Sequence, residues 1–174
     1  VPHAGVRESR PVSVIATPIV AIRPLAEADI TPAYVGWMND PEVTRYLLAG
    51  RTPQTVETIR AFVATVAQPF VVEADRQIVG TICLRTVDAI SRVAEVGILI
   101  GDRQVWRQGI ALAALNGLGA HAREQGLCKL WAGTCNPAAA RLFEKAGWIC
   151  EGVQVAHVYL DGVWRDHSLW RRSP

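Results

Sequence analysis

The stretch that decides the fold reads EVGILIG (Glu95–Gly101), followed after four residues by WRQGIA (Trp106–Ala111). Branched apolar residues dominate its first half and predict a strand over residues 92–100. Its second half is a loop that begins a helix over residues 109–125, which is rich in alanine and leucine. Small residues at this helix start allow backbone N–H groups to approach a ligand closely, and the unpaired donors of the first turn favour an anion. The stretch therefore predicts a strand–loop–helix unit that can cradle a pyrophosphate.

The sequence on both sides of this unit predicts further helices and strands. Before it, the patterns predict a strand over 18–23, helices over 26–38 and from Thr52 or Thr55 to 66, and strands over 70–73 and 77–86. After it, they predict a strand over 127–134, a helix over 138–146, and two strands joined at the Asp161-Gly162 turn. We therefore expect an α/β (α+β) domain over residues 18–174, with a mostly antiparallel sheet flanked by helices, after a flexible leader over residues 1–17.

The composition argues against several classes of protein. Half of the 174 residues are hydrophobic, a fifth are charged, and the formal net charge is +2. This balance is that of a globular chain, and the charge is too small to indicate a nucleic-acid partner. No apolar stretch approaches the roughly 20 residues that a membrane span needs. We therefore expect no membrane partner. The four cysteines contain no C-x-x-C pair, so we expect no metal site. We also expect reduced thiols in a cytoplasmic protein.

A second segment, NPAAARLFEKAGW at residues 136–148, accompanies the glycine-containing stretch. Its asparagine and its aromatic-Glu-Lys-x-Gly-aromatic run, in this order after that stretch, resemble the GNAT superfamily of acyl-CoA-dependent N-acyltransferases. The glycine motif of that family has the form Gln/Arg-x-x-Gly-x-Gly/Ala, and Trp106 stands here where Gln or Arg is commonest. The resemblance covers roughly Val20 to the C-terminus. It implies a GNAT-like domain with a V-shaped opening between its two central strands, and acetyl-CoA as the acetyl donor.

The resemblance also implies a coenzyme site built largely from backbone groups. One strand end would hydrogen-bond the pantetheine arm as though it were an added strand, and the loop and first helical turn would hold the pyrophosphate. An asparagine would reach the coenzyme from the neighbouring strand end, and an aromatic ring would pack along it. The expected coenzyme-binding residues are Ile98, Leu99, Ile100, Gly101, Trp106, Arg107, Gln108, Gly109, Ile110, Ala111, Asn136 and Phe143.

Proton transfer is the chemistry that the site must supply, because an amine attacks a thioester only in its neutral form. Glu95 is the leading candidate for the base, since it lies on the strand whose far end would bind the coenzyme. His157 is the rival, since the final hairpin borders the acceptor site in the family. The alternatives are that Glu95 is an ordinary surface glutamate and that His157 has a structural role only. A covalent route through Cys135 would need an activating base, and none is adjacent in sequence.

Phe143 stands where many relatives carry a tyrosine that donates a proton to the departing thiolate. Phenylalanine has no hydroxyl and cannot do this. The thiolate must therefore leave with help from water, from backbone donors or from another side chain.

The front of the chain carries a weaker signal about the acceptor. The run WMNDPEV at residues 37–43 is similar to GNAT members that acetylate nucleotide-linked amino sugars, and to the branch that acetylates protein N-termini. An aromatic ring there would stack on a sugar or a base, while Arg45 and Arg51 would pair with a diphosphate. The expected acceptor-binding residues are Trp37, Asn39, Arg45 and Tyr46.

We therefore expect an enzyme that transfers acetyl from acetyl-CoA to the amino group of a small acceptor, by direct attack in a ternary complex. An amino sugar, linked to a nucleotide, is the leading acceptor. Protein N-termini, aminoglycosides and other small amines remain alternatives. A different class, the non-catalytic acyl-CoA-binding module, also stays open, as does the choice between monomer and homodimer.

Overall fold

The structure is a computed structural model that describes residues 15, 16 and 20–174. The predicted leader lies outside these residues except for Ile15 and Ala16, so it stays a prediction. The strands are β1 (Ile15–Ala16), β2 (Val20–Pro24), β3 (Gln68–Ala74), β4 (Gln77–Asp88), β5 (Val93–Ile100), β6 (Lys129–Thr134), β7 (Ile149–Leu160) and β8 (Val163–Arg172). The α-helices are α1 (Pro32–Asn39), α2 (Pro41–Thr44), α3 (Val56–Ala64), α4 (Ile110–Glu124) and α5 (Pro137–Lys145).

All eight strands form one sheet, in the order β1-β2-β3-β4-β5-β6-β8-β7. Every neighbouring pair is antiparallel except β5 and β6, which run parallel. These two central strands pair only from Val93 with Lys129 to Glu95 with Trp131, and then diverge. The expected fold is confirmed: a mostly antiparallel sheet with a V-shaped opening between its central strands.

Different helices cover the two faces of the sheet. On one face, α4 and α5 bury the main core, in which Leu84, Leu118 and Leu130 are at most 1% exposed. On the other face, a smaller cluster forms around Ile30 and Tyr34, where α1 and α3 pack. Side chains alternate across a strand, so the residues of β5 and β6 that are not in the main core face the α1 side. We call this side the front face.

The predicted helix over residues 26–38 is wrong in its first six residues, 26–31. Glu27–Asp29 forms a single 3-10 turn, and α1 begins only at Pro32. Thr31 caps this helix by accepting a hydrogen bond from the Tyr34 backbone N–H, and proline at the first helical position has no N–H to leave unpaired. Arg23 holds the preceding turn through two hydrogen bonds to the Asp29 carboxylate, at 2.7 and 2.9 Å.

Candidate active site

The opening between β5 and β6 exposes backbone groups of the sheet. Beyond Glu95, β5 pairs only with β4. The Gly101 N–H donates to the Val79 carbonyl of β4 at 2.9 Å. Because the direction of N–H and C=O alternates along a strand, the groups of Ile98 and Ile100 point away from β4 and into the opening. Of the four strand-end residues expected to bind the coenzyme, these two offer their backbone to an extended ligand, whereas Leu99 and Gly101 face β4.

Trp106 ties the loop after β5 to the end of that strand. Its indole N–H donates to the Ile100 carbonyl at 2.8 Å. The Arg103 guanidinium carbon lies 5.9 Å from the centre of the Trp106 ring. Trp106, the residue that departs from the glycine motif, therefore hydrogen-bonds to a carbonyl that faces the opening. This bond fixes where the loop starts.

The start of α4 has the geometry of an anion site. Gly109 adopts a left-handed conformation with φ 81° directly before the helix, and Arg107 also has a positive φ, 64°. The first N–H groups of an α-helix have no partner within it, and the helix dipole makes this end positive. Here Ala113 is the first residue to close a helical bond, to the Gly109 carbonyl at 3.0 Å. Because residues 106–109 are exposed, the donors before Ala113 can receive a phosphate.

Asn136 directly precedes α5 and Phe143 lies within it, in different surroundings. Asn136 follows β6 and caps α5, since its side-chain oxygen accepts the Ala138 N–H at 2.9 Å. Phe143 is 3% exposed, with its ring centre 4.9 Å from that of Trp148 and 6.1 Å from that of Trp170. Its ring is therefore enclosed by the main core, and the expected contact of Phe143 with the coenzyme stays a prediction.

Glu95 lies at the vertex of the opening. It belongs to the last residue pair that joins β5 to β6, opposite Trp131, and its side chain points to the front face. Its carboxylate accepts a hydrogen bond from Arg85 of β4 at 3.2 Å, and its side chain is 19% exposed. A ligand that fills the opening would end beside this carboxylate.

The final hairpin brings two histidines to the front face. His157 is exposed and lies where the pairing of β7 with β8 is irregular, next to Ala156 with φ 49°. Its ring centre is 5.5 Å from that of His167 on β8. The sequence analysis missed His167. The signal that could have revealed it is Gly133, a glycine within a strand of bulky residues, because the His167 ring packs on that glycine.

Trp37 and Asn39 are occupied by contacts within the fold. A side chain at Gly101 would lie 2.2 Å from the Trp37 ring, which shows that this ring packs flat on the end of β5. The Asn39 amide donates to the Gln54 carbonyl and accepts from the Gln54 N–H, both at 2.8 Å. The acceptor role of these two residues stays a prediction that these contacts do not support.

Arg45 borders a cavity of about 490 Å³ between α2 and the β7–β8 turn, and Tyr46 lies next to it in the chain without lining the cavity. The guanidinium carbons of Arg45 and Arg165 both lie over the Tyr46 ring, 5.7 and 5.2 Å from its centre. Arg51 donates to the Tyr159 carbonyl across the cavity. The residues that line the cavity are Pro41, Thr44, Arg45, Leu47, Gly50, Arg51, Tyr159, Leu160 and Asp161.

Within the described part of the chain, no carboxylate forms an ion pair with Arg45, Arg51 or Arg165. The Arg165 Nε is buried and has no hydrogen-bond partner there. Near this cluster, the Cys135 thiol donates to the Tyr46 carbonyl at 3.6 Å, and burial raises its pKa. A thiol whose pKa is raised is a poor nucleophile, which disfavours a covalent route.

Among the described residues, no three His, Cys, Asp or Glu side chains are grouped so that they could hold a metal ion. No helix in the same part of the chain is long and apolar enough to cross a membrane.

The fold matches solved acetyltransferases over nearly its whole length. A ribosomal alpha-N-protein acetyltransferase in complex with coenzyme A aligns with a TM-score of 0.82 at 16% identity, covering 92% of this chain and 97% of that one. Spermidine N-acetyltransferase from Vibrio cholerae, in complex with coenzyme A and spermine, aligns with 0.79 at 20% identity, covering 90% and 96%. A microcin self-immunity acetyltransferase in complex with acetyl-CoA and AMP aligns with 0.74 at 14% identity, covering 91% and 94%.

At such identities these likenesses establish the fold only. Among curated protein sequences, none matches the chain. The model of the acetyltransferase (GNAT) domain family, however, matches residues 20–149. Because this match spans most of the chain, the protein belongs to the GNAT acetyltransferase family and is an N-acetyltransferase that uses acetyl-CoA as its acetyl donor.

Proposed function

We propose that the protein acetylates the primary amine of an anionic acceptor, and that a nucleotide-linked amino sugar is the acceptor class that fits best. The observation that carries this proposal is the cluster of Arg45, Arg51 and Arg165, which has no carboxylate partner among the described residues. Guanidinium groups match phosphate oxygens in a bidentate geometry. The Tyr46 ring helps to hold this cluster together, since the guanidinium groups of Arg45 and Arg165 both lie over it.

The cavity volume supports an acceptor larger than a simple amine. About 490 Å³ falls within the range of sites for drug-sized ligands. In this arrangement the phosphates lie against the arginines, and the amino group points along the front face towards the opening. The same charge disfavours a polyamine, because the lining carries two guanidinium groups, Arg45 and Arg51, against one carboxylate, Asp161.

The coenzyme occupies the opening in the proposed ternary complex. Its pantetheine arm pairs with the backbone groups of Ile98 and with the N–H of Ile100, whose carbonyl accepts from the Trp106 indole. Its pyrophosphate sits on the loop and first turn of α4 around Gly109. The thioester then lies near Glu95, which takes a proton from the acceptor ammonium, directly or through water. The neutral nitrogen attacks the carbonyl carbon, the C–S bond breaks, and the electron pair leaves with sulfur as the thiolate.

Protein N-terminal acetylation is the second candidate. The observation in its favour is the fold shared with the ribosomal alpha-N-protein acetyltransferase. An N-terminal peptide with acidic residues would also match the charge of the cavity.

A panel of acceptors tests the proposal. Release of free thiol from acetyl-CoA and the mass of the product are measured with nucleotide-linked 4-amino sugars, the same sugars without the nucleotide, acidic and neutral N-terminal peptides, and spermidine. We expect the nucleotide-linked sugars to give the highest kcat/KM. Equal kcat/KM with and without the nucleotide, or a preference for spermidine, would rule out the anionic subsite.

Arginine variants locate that subsite. Arg51→Gln and Arg165→Gln each remove one charge-assisted contact, worth about 1.5–3 kcal/mol, and should raise the acceptor KM by roughly ten- to a hundredfold. The KM for acetyl-CoA should not change, because the coenzyme lies elsewhere in the site. Arg123→Gln, at the exposed end of α4, is the matched control and should change neither KM.

A further inference from the structure

The reaction leaves one proton transfer without a residue to perform it. Attack by a neutral amine yields an ammonium that must lose a proton, and the departing thiolate gains one to form the free thiol. Phe143 carries no hydroxyl, and its ring is enclosed by Trp148 and Trp170. The donor to sulfur is therefore water, a backbone group or another side chain on the walls of the opening.

His167 is held against one of these walls. Gly133 of β6 lies beyond the last residues that pair with β5, so one edge of β6 at this point borders the opening. A Cβ atom at Gly133 would lie 2.3 Å from Cε1 and 2.8 Å from Nε2 of His167. The Nε2 edge of the imidazole is thus in contact with the strand that lines the opening, on the same face as Glu95.

Gln154 of β7 determines which ring nitrogen carries the proton. Its side-chain oxygen lies 3.0 Å from His167 Nδ1, and a carbonyl oxygen can only accept, so Nδ1 is the protonated nitrogen. The neutral ring therefore presents an unprotonated Nε2, and no hydrogen bond occupies that atom in the described structure. This is the tautomer that a proton acceptor needs.

The surroundings of the ring keep it neutral. Burial lowers the pKa of His167, and the charge of His157 on β7 lowers it further. On the β6 side the ring contacts Gly133, which carries no charge. On its own strand, β8, the charged neighbour is Arg165, two residues away. A histidine whose pKa is lowered holds an available lone pair at neutral pH and releases an accepted proton readily.

We propose that His167 shuttles one proton from the attacking amine to the departing thiolate, in place of the hydroxyl that position 143 lacks. Nε2 takes the proton from the nitrogen as the C–N bond forms. The C–S bond then breaks, and Nε2 returns the same proton to the sulfur, so that the ring ends neutral. Glu95 performs the earlier step, removal of the first proton from the acceptor ammonium. The inference rests on the acetyl transfer of the proposed function, but not on the identity of the acceptor.

The tautomer is tested in the resting protein, without any acceptor. Nitrogen-15 NMR of histidine-labelled protein should show His167 protonated at Nδ1 and unprotonated at Nε2 near neutral pH. Gln154→Leu removes the accepting oxygen and should make the two tautomers mix. A ring protonated at Nε2 in the unsubstituted protein would overturn the proposal, whether or not any amine is acetylated.

The proton transfer is tested by single-turnover kinetics with whichever amine of the panel reacts best. His167→Gln should slow transfer by roughly 10²–10⁴-fold with the affinity for acetyl-CoA retained. His167→Gly leaves a space shaped like the ring, and added imidazole should restore much of the rate, which a merely structural histidine would not allow. His121→Gln, at the far end of α4, is the control and should react normally. A His167→Gln protein with near-normal rate, or a folded His167→Gly protein that imidazole does not restore, refutes the shuttle. Turnover of another amine but not of nucleotide-linked sugars would refute only the proposed acceptor.

Discussion

Gly133→Ala tests the contact between β6 and His167 by adding one methyl group. The new Cβ would lie 2.3 Å from Cε1 and 2.8 Å from Nε2 of the imidazole. Carbon atoms in van der Waals contact lie about 3.5–4.0 Å apart. The ring must therefore retreat by more than about 1 Å, and its hydrogen bond to Gln154 limits where it can go.

Two opposing terms determine the change in stability. Overpacking of this kind costs roughly 1–3 kcal/mol. Replacing a strand glycine by alanine returns about 0.5–1 kcal/mol through the lower entropy of the unfolded chain. We therefore expect a net loss of about 1–2 kcal/mol in the free energy of unfolding. For a chain of this size, each kcal/mol lowers Tm by about 2–4 °C.

A double-mutant cycle separates these terms. Urea unfolding is measured for the unsubstituted protein, Gly133→Ala, His167→Ala and the double variant. Without the imidazole there is no clash, so Gly133→Ala should stabilise the His167→Ala protein by about 0.5–1 kcal/mol. The sign of the effect should thus reverse between the two backgrounds, with a coupling energy within the roughly 0.5–3 kcal/mol seen for residues in contact. Equal destabilisation in both backgrounds would refute the packing of His167 on Gly133.

Three further substitutions address the coenzyme and the first proton transfer. Gly109→Val places a branched side chain directly before α4, at a residue with φ 81°. Calorimetry should show that the affinity for acetyl-CoA falls by more than about tenfold. Unchanged affinity in a folded variant would mean that the pyrophosphate binds elsewhere. Glu95→Gln should lower kcat by roughly 10²–10⁴-fold at neutral pH while acetyl-CoA binding is retained. The rate should recover partly at high pH, where the free amine is abundant. Near-normal turnover under conditions in which chemistry limits the rate would exclude Glu95 as the base. Trp106→Phe keeps an aromatic ring but loses the hydrogen bond to the Ile100 carbonyl. The affinity for acetyl-CoA should therefore fall by about two- to tenfold. A gain in this affinity would instead show that the indole competes with the coenzyme.

The parts of the site that the sequence alone predicted are those built from neighbouring residues. The strand, loop and helix around Gly109 were expected from local pattern, and the structure places them within one residue of the predicted limits. The Asp161-Gly162 turn follows the same logic, with positive φ at both turn residues. The Asn136 cap on α5 is equally local, although it was not among the sequence predictions. Such features depend on the conformational preferences of a few consecutive residues, and those preferences are present in any sequence that contains them.

The start of α1 shows where local pattern misleads. Apolar spacing over residues 26–38 suggested one continuous helix. Thr31 and Pro32 instead begin the helix, and Arg23 holds the preceding turn through Asp29. The ion pair comes from Arg23 on β2, the strand directly before the turn, and helical periodicity carries no trace of such a contact.

Only the tertiary structure decided which distant residues meet on the front face. His167 lies over Gly133 because β8 pairs with β6, and Arg165 reaches Tyr46 because the final hairpin folds beside α2. From the sequence, His157 of this hairpin was the rival of Glu95 for the base and His167 was not considered, because residues alone do not show which side chain the strand register turns towards β6. A shift of one residue in that register would send His167 to the opposite face. Register results from the packing of the whole sheet against α4 and α5, and for this reason a segment read by itself does not contain it.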